Sequence, residues 1–187
     1  MSKRTLPAIA AAGLLALAPA FAQNQGSSHT GHGAHGSTIE TGHANPDEHF
    51  IHEAAAGGMM EVELGRLAAE RAASPEVKAF GQRMVTDHGK ANQQLMTIAA
   101  SKGMTLPREL PAGMQRERDL LARMSGAEFD RMYMHHMVKD HKKDVAEFEK
   151  QAEKGTDLAV RTFAQQTLPT LREHLTLAES LAAKQTR

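Results

Sequence analysis

The chain has 187 residues, enough for one domain with appended segments, and its 22 basic and 22 acidic side chains give a formal net charge of zero. This balance provides no basic surface, so we expect no nucleic-acid partner. The absence of cysteine excludes disulfides, iron–sulfur clusters and thiol catalysis, whereas histidine is frequent, with 11 residues.

Residues 1–22 have the features of a cleaved signal peptide. A positively charged N-terminus precedes a short apolar run over 6–17, and Ala20-Phe21-Ala22 has the small-x-small pattern that signal peptidase recognises. We therefore predict cleavage between Ala22 and Gln23. The run is too short to span a bilayer comfortably, and no later stretch is long and apolar enough. The sequence predicts a periplasmic protein with no transmembrane segment after cleavage.

Residues 23–46 are predicted to form a disordered spacer, because they are rich in Gly, Ser, Thr, His and Asn and have almost no apolar side chains to bury. His29, His32 and His35 are spaced three apart in this segment. Such imidazoles on a flexible chain bind Cu(II), Ni(II) or Zn(II) weakly and without selectivity. The alternative is a solvated tether whose histidines have no such role.

Helical periodicity predicts a single domain over residues 47–184. The expected long helices are 47–73, 75–101, 126–154 and 157–183, with a short helix at 114–124 and with N-caps at Asp47, Ser74, Ser125 and Thr156. The first two long helices are nearly contiguous, as are the last two, whereas a long segment separates the pairs. This pattern predicts an all-α, ferritin-like antiparallel four-helix bundle, made of two helical hairpins joined by a long crossover.

Each predicted long helix carries one ionisable residue at the centre of its apolar stripe: Glu61, His88, His141 and His174. All four lie near the middle of their helices, so we expect them in one layer. Buried ionisable groups are normally paired or metal-bound. The pattern predicts a core metal site whose ligand types suit Cu, Zn, Fe or Mn. The alternative is a polar layer without metal, in which the carboxylate accepts hydrogen bonds from imidazoles and fixes the helix register.

Other side chains are assigned by their position relative to these stripes. Four carboxylates are candidates to orient the imidazoles through hydrogen bonds: Asp87, Asp130, Asp140 and Glu173. The alternative for Asp87, Asp140 and Glu173, which lie at the stripe edges, is a surface charge with no such role. Three histidines fall off the stripes and are expected in solvent: His52, His135 and His136. Three apolar residues of the first helix also fall off its stripe, and they would form an exposed interaction patch: Met59, Met60 and Leu67. Pro169 predicts a kink or a π-bulge in the last helix.

Several segments together resemble a known family. They are Glu61-Val62-Glu63-Leu64-Gly65, Met84-Val85-x-Asp87-His88, Ser125-Gly126-x-x-Phe129-Asp130-Arg131-x-Tyr133, Met137-Val138-x-Asp140-His141, and Leu168-Pro169 followed by His174. From about Asp47 to Leu181 the chain is similar to bacterial periplasmic ferritin-like proteins with a domain of unknown function, often labelled outer-membrane proteins. The resemblance implies the fold and the envelope location, and it implies no activity or catalytic residue.

Two further comparisons concern the chemistry. The stretch 129–145 is similar to a second periplasmic helical family, which is associated with copper. Ferritin-type di-iron sites use Glu-x-x-His on two helices. Here Val85 and Leu171 stand three residues before His88 and His174, so ferroxidase chemistry is not expected.

Three functions follow from these patterns. The first is an exported envelope protein that binds a transition metal in its core, with a role in metal handling or stress. The alternative is a non-enzymatic structural or interaction module of the envelope, with a buried polar layer and no metal. The third is a metal-dependent oxidoreductase, which needs an open coordination position and a substrate route. No Ser or Cys nucleophile motif is present, so no catalytic residue is predicted.

Overall fold

The computed structural model describes residues 45–185, and these form five helices. They are α1 (Pro46–Arg71), α2 (Pro75–Ser101), α3 (Ala112–Ala122), α4 (Gly126–Lys154) and α5 (Leu158–Gln185). The predicted signal peptide lies outside the described residues, as does the spacer up to residue 44, with His29, His32 and His35. Within 45–185, no helix combines the length and the apolar character that crossing a membrane requires.

The four long helices form two antiparallel hairpins, α1–α2 and α4–α5, and α1 also packs against α4 while α2 packs against α5. In the pairs α1–α4 and α2–α5, the start of one helix lies beside the end of the other. Asp47 at the start of α1 is bonded to Gln151 near the end of α4, and Lys102 after α2 is paired with Asp157 before α5. Neighbouring helices are therefore antiparallel, and α2 and α4 run parallel across the diagonal. The predicted all-α bundle with a long crossover is confirmed.

The crossover covers one face of α1. The short helix α3 begins two residues before its predicted start and packs against α1. Leu110 and Leu121 from this segment are buried in the same apolar cluster as Met60, which is only 1% exposed. Met59 and Leu67 are partly buried against that cluster. The predicted exposed patch on α1 is therefore wrong, because the crossover segment covers it.

The helix starts follow the predicted capping in part. Ser74 caps α2 by accepting a hydrogen bond from the Val77 amide at 3.4 Å, as predicted. Ser125 stands at the N-cap position of α4 without a side-chain hydrogen bond. The cap of α1 is Asn45, which accepts from the Asp47 amide at 3.0 Å. The prediction that Asp47 caps α1 is wrong, because Asp47 lies within the first turn.

Asp47 instead ties α1 to the connection between α4 and α5. Its buried carboxylate accepts hydrogen bonds from the Gln151 side chain, from the amide and hydroxyl of Thr156 and from the Asp157 amide. Thr156 is therefore not the cap of α5. Asp157 takes that role, since its Oδ1 accepts from two amides in the first turn of α5, at 3.0 and 3.1 Å.

The apolar core is divided into two clusters by a polar layer at the middle of the bundle. One cluster includes Leu64, Met84 and Met137, and the other includes Leu95 and Phe148. Some buried residues belong to neither cluster. They include the four ionisable residues of the predicted stripes: Glu61, His88, His141 and His174. Helix α5 is α-helical throughout, so no π-helical turn forms at Pro169.

Candidate metal centre

Three imidazoles from three helices meet at the centre of the bundle. His88 on α2, His141 on α4 and His174 on α5 are 7%, 0% and 1% exposed. Their ring centroids lie 5.6 Å (88–141), 5.4 Å (88–174) and 5.4 Å (141–174) apart, so the rings form a nearly equilateral triangle. One ring nitrogen from each residue lies within 4.8 Å of the corresponding nitrogens of the other two.

One nitrogen of each ring has no hydrogen-bond partner among the described residues: His88 Nε2, His141 Nε2 and His174 Nδ1. The second nitrogen is engaged in two of the three rings. His141 Nδ1 lies 2.9 Å from the carbonyl oxygen of Met137, and His174 Nε2 lies 3.0 Å from Oδ2 of Asp87. In a neutral imidazole, a nitrogen that donates its proton to such an acceptor leaves a lone pair on the other nitrogen.

The site favours neutral imidazoles. Burial, together with repulsion from neighbouring imidazoles, lowers the pKa of His88 to about 3 and that of His141 to about 4. Burial also lowers the pKa of His174, against the hydrogen bond to Asp87, which raises it. The three rings are therefore unprotonated near neutral pH, which is the form that coordinates metal ions.

Glu61 lies beside the triangle and is 0% exposed. Its Oε1 is 3.7 Å from His141 Nδ1, too far for a hydrogen bond, and neither carboxylate oxygen has a partner within residues 45–185. Burial raises the pKa of Glu61 well above its usual value, and the negative charges of Asp144 and Asp140 raise it further. Glu61 does not join the three imidazoles within the 4.8 Å limit. The structure thus brings three of the four predicted ligands together and places the fourth next to one ring.

Asp87 contacts a ring of the neighbouring helix α5, with its Oδ2 3.0 Å from Nε2 of His174. Burial raises its pKa, but hydrogen bonds from His174 and Arg83 outweigh this, and the pKa is lowered overall. Arg83 Nε lies 3.1 Å from Oδ2 of Asp87, and a second nitrogen of the same guanidinium lies 2.6 Å from Glu173. Glu173, expected beside an imidazole, is instead an exposed partner of Arg83.

The other two candidate orienting residues have different partners. Asp130 is buried and accepts hydrogen bonds from the Ala73 amide at 3.1 Å and the Ser74 amide at 2.8 Å, so it holds the α1–α2 turn against α4. Asp140 lies 3.4 Å from His136 on its own helix. His136 is half-buried rather than solvated, whereas the other two off-stripe histidines are exposed as expected: His52 and His135.

Three residues near the triangle were not singled out from the sequence. The Phe80 ring lies 6.4 Å from the rings of both His141 and His174. Tyr133 is fully buried, its hydroxyl has no partner in the described part of the chain, and burial together with the charge of Glu61 raises its pKa. Asp144 follows His141 by three residues. That spacing places the two on one face of a helix and is a signal that points to Asp144.

The geometry suits a d-block metal ion. Tetrahedral coordination with bonds of about 2.0–2.1 Å separates ligand nitrogens by roughly 3.4 Å, so small ring movements bring three nitrogens within 4.8 Å into place. Hydrogen bonds from ligand imidazoles to a carboxylate and a backbone carbonyl are the usual support of such a site. These residues are able to hold one ion.

Comparisons with known proteins give a family and a fold. A family described as Domain of unknown function (DUF4142) matches residues 33–181. A DUF305 protein from Streptomyces coelicolor, provisionally described as secreted, is similar with a TM-score of 0.65 and 14% identity, over 76% of this chain and 94% of that one. A DUF305 fragment from Deinococcus radiodurans has a TM-score of 0.65 and 14% identity, with coverages of 74% and 96%.

A conserved hypothetical protein from Mycobacterium tuberculosis is similar with a TM-score of 0.56 and 14% identity, over 74% of this chain and 91% of that one. No curated protein matches the chain. At these identities the solved structures support the helical fold alone.

Proposed function

Because this chain belongs to the family described as Domain of unknown function (DUF4142), we propose its function from its own residues: it binds one transition-metal ion inside the bundle. His88, His141 and His174 are the nitrogen ligands in this proposal. Glu61 supplies the carboxylate that offsets the charge of the ion. The sequence features of export support a periplasmic location, where the proposed role is metal handling or metal stress.

The observation that carries the proposal is a set of three buried imidazoles that bring one ring nitrogen each within 4.8 Å of the others, with one nitrogen of every ring lacking a partner among the described residues. Each buried polar atom left without a partner costs about 1–3 kcal/mol. A single bound ion satisfies all three nitrogens at once. The neutral state of the rings supports this use, since a protonated imidazole has no lone pair to give.

The surroundings of Glu61 favour a bound cation over a purely structural polar layer. In a polar layer that only fixes helix register, the carboxyl group should be hydrogen-bonded to the imidazoles. Its nearest imidazole nitrogen is instead 3.7 Å away, and both of its oxygens lack partners among the described residues. A buried carboxylate is costly unless it is paired with a positive charge. A dication beside three neutral imidazoles provides that charge.

Three imidazoles with a carboxylate nearby suit Zn, Cu(II), Fe or Mn by ligand type. With three nitrogen ligands, a tetrahedral ion keeps a fourth position for the carboxylate or for water. The proposed role is binding rather than catalysis. The spacer histidines, His29, His32 and His35, are proposed to bind metal weakly in addition.

Elemental analysis of the chain from Gln23, purified without an affinity tag, tests the proposal. Near-stoichiometric metal is expected in the wild type, in a spacer-deleted form and in His135→Ala, which removes an exposed histidine of α4. Metal should be lost in the double variant His88→Ala, His141→Ala. If the spacer-deleted form stays metal-free after reconstitution with Cu, Zn, Fe and Mn, the layer is structural and the protein is an interaction module of the envelope.

A further inference from the structure

A small, partly enclosed cavity lies in the bundle beside the histidine triangle. All four long helices line it, and its polar lining residues include His88, Asn92 and Asp144. Its volume of about 20 Å³ is enough for one water molecule. Asn92 follows His88 by four residues and Asp144 follows His141 by three, so both belong to the next turn of the helices that carry the imidazoles.

The cavity lies on one side of the triangle only. The opposite side is closed by Phe80, whose ring lies 6.4 Å from those of His141 and His174. Phe80 precedes His88 on α2 by two turns, whereas Asn92 follows it by one. His88 is the only one of the three imidazoles that lines the cavity, and it is also the most exposed of them, at 7%. Access to the triangle is therefore asymmetric.

The cavity is lined by side-chain oxygens that could coordinate a cation and that make no hydrogen bond among the described residues. Within residues 45–185, neither Asp144 nor the side chain of Asn92 has a hydrogen-bond partner. Burial, together with the charges of Asp140 and Glu147, raises the pKa of Asp144 to about 7. Carboxylate and amide oxygens are common cation ligands, and one carboxylate with one amide binds weakly enough to release an ion.

Two glycines of α1 line the cavity wall. A Cβ atom at Gly58 would lie 2.0 Å from Oδ1 of Asn92, so the amide group takes space that any other residue would fill. A Cβ atom at Gly57 would meet nothing within 4 Å. Gly57 therefore faces open space, where a longer side chain can be added without a backbone clash.

We propose that the metal ion reaches the three imidazoles through this cavity, held in passage by Asp144 and Asn92 and taken over first by His88. The inference rests on the proposed metal-binding function and adds the route to it. Asp144 acts on the rate of loading and is not a ligand of the bound ion. A residue on such a route changes uptake and release, and it leaves the equilibrium affinity nearly unchanged.

The test follows Co²⁺ uptake by the metal-free mature protein in a stopped-flow spectrometer, through the visible absorption of cobalt bound by imidazoles. The double variant His88→Ala, His141→Ala gives the background from the spacer. Asp144→Asn is expected to slow uptake about tenfold, the lower end of what local charge contributes to association rates. The dissociation constant should stay within about threefold of the wild-type value, because slower release of the ion compensates for its slower uptake. Glu149→Gln, which removes a carboxylate of α4 that pairs with Arg172 outside the cavity, should load at the wild-type rate.

A second pair of variants tests the route by shape. Gly57→Leu should slow both uptake and release to a chelator, whereas Gly57→Ala, its matched control, should change neither. Asp144→Glu retains a carboxylate and should load faster than Asp144→Asn. Circular dichroism establishes that each variant is folded.

The inference is overturned if Asp144→Asn and Gly57→Leu, both folded, load at the wild-type rate. It is also overturned if Asp144→Asn loses affinity through faster release, because Asp144 would then belong to the binding site itself. These results differ from a failure of the proposed function, in which the wild type shows no cobalt absorption above the double variant.

Discussion

Oδ2 of Asp87 on α2 accepts a hydrogen bond from Nε2 of His174 on α5, at 3.0 Å. The bond leaves His174 Nδ1 as the nitrogen available to a metal. Arg83 binds the same carboxylate oxygen at 3.1 Å and limits its movement. The Asp87–His174 hydrogen bond thus connects the surface of the α2–α5 interface to the centre of the bundle.

Removing this carboxylate should weaken metal binding. Asp87→Ala is expected to lower the affinity about 10–100-fold, the usual effect of losing a residue that orients a ligand imidazole. A competition titration with a chromophoric chelator measures it. Glu173→Ala is the matched control, because Glu173 pairs with Arg83 without contacting an imidazole in the structure. Equal affinities in the two variants would show that Asp87 does not support the site.

Glu61 should make the metal-free protein less stable as the pH rises. Its pKa in the folded protein is raised above the ordinary glutamate value of 4.5, so above that pH the unfolded chain releases a proton that the folded protein keeps. The wild type should therefore lose up to about 1.4 kcal/mol of unfolding free energy per pH unit relative to Glu61→Gln, until the pH passes the folded pKa.

Urea denaturation in the presence of a chelator, between about pH 5 and about pH 7, measures this difference. Glu63→Gln controls for the loss of a carboxylate from the same helix. Saturating metal should reverse the order near neutral pH, because the ion then offsets the charge of Glu61. A constant difference between wild type and Glu61→Gln across this range would contradict the burial of an unpaired carboxyl group.

The crossing of α1 and α2 depends on two glycines. A Cβ atom at Gly65 would lie 2.5 Å from the carbonyl oxygen of Gly81, which is backbone and cannot rotate away. Gly65→Ala is therefore expected to cost about 1–3 kcal/mol of unfolding free energy, as overpacking does. Gly89→Ala on α2, where a Cβ atom meets nothing within 4 Å, should instead add about 0.5–1 kcal/mol. Thermal and urea denaturation of both variants measure the contrast, and equal effects would refute the close approach.

Asp47 should contribute strongly to the stability of the bundle, at the end where α1 meets the α4–α5 connection. Burial raises its pKa, but the hydrogen bonds from Thr156, Gln151 and Asp157 outweigh this and lower it overall. Asp47→Ala is expected to cost about 2–3 kcal/mol, because it leaves buried donors without their charged acceptor.

The wild-type advantage should be present above the ordinary aspartate pKa of 3.8 and should disappear as the pH falls through the lowered folded value. Asp119→Ala, at an exposed carboxylate of α3, is the control and should change stability little. An equally small effect of Asp47→Ala would show that the α4–α5 connection does not depend on this contact.

Much of the fold follows from local patterns. Hydrophobic periodicity located the long helices, the near absence of residues between helices predicted the hairpins, and Ser74 was correctly identified as the cap of α2. The patterns failed where a side chain is used by a distant segment. Asp47 lies in the first turn of α1 and binds the α4–α5 connection, so its local role as a cap was the wrong interpretation.

The burial of Met60 was missed for a related reason. An apolar stripe defined for four packed helices ignores the crossover, and α3 with its preceding segment covers that face of α1. Three of the orienting candidates, Asp87, Asp140 and Glu173, each directly precede a stripe histidine, so the sequence alone does not distinguish them. Neighbouring residues on a helix diverge by about 100°, so small helix rotations decide whether a stripe-edge carboxylate meets an imidazole or an arginine.

The helical class and the placement of Glu61, His88, His141 and His174 on buried stripes follow from a period of about 3.6 residues along each helix, and the hairpins follow from the short connections. The distances follow only from tertiary packing: three imidazoles in a triangle, Glu61 beside it, and Asp87 rather than Asp130 in contact with a ring. The cavity beside His88 also follows from that packing. These features depend on how closely and at what rotation the helices pack, which is a property of the side chains between them.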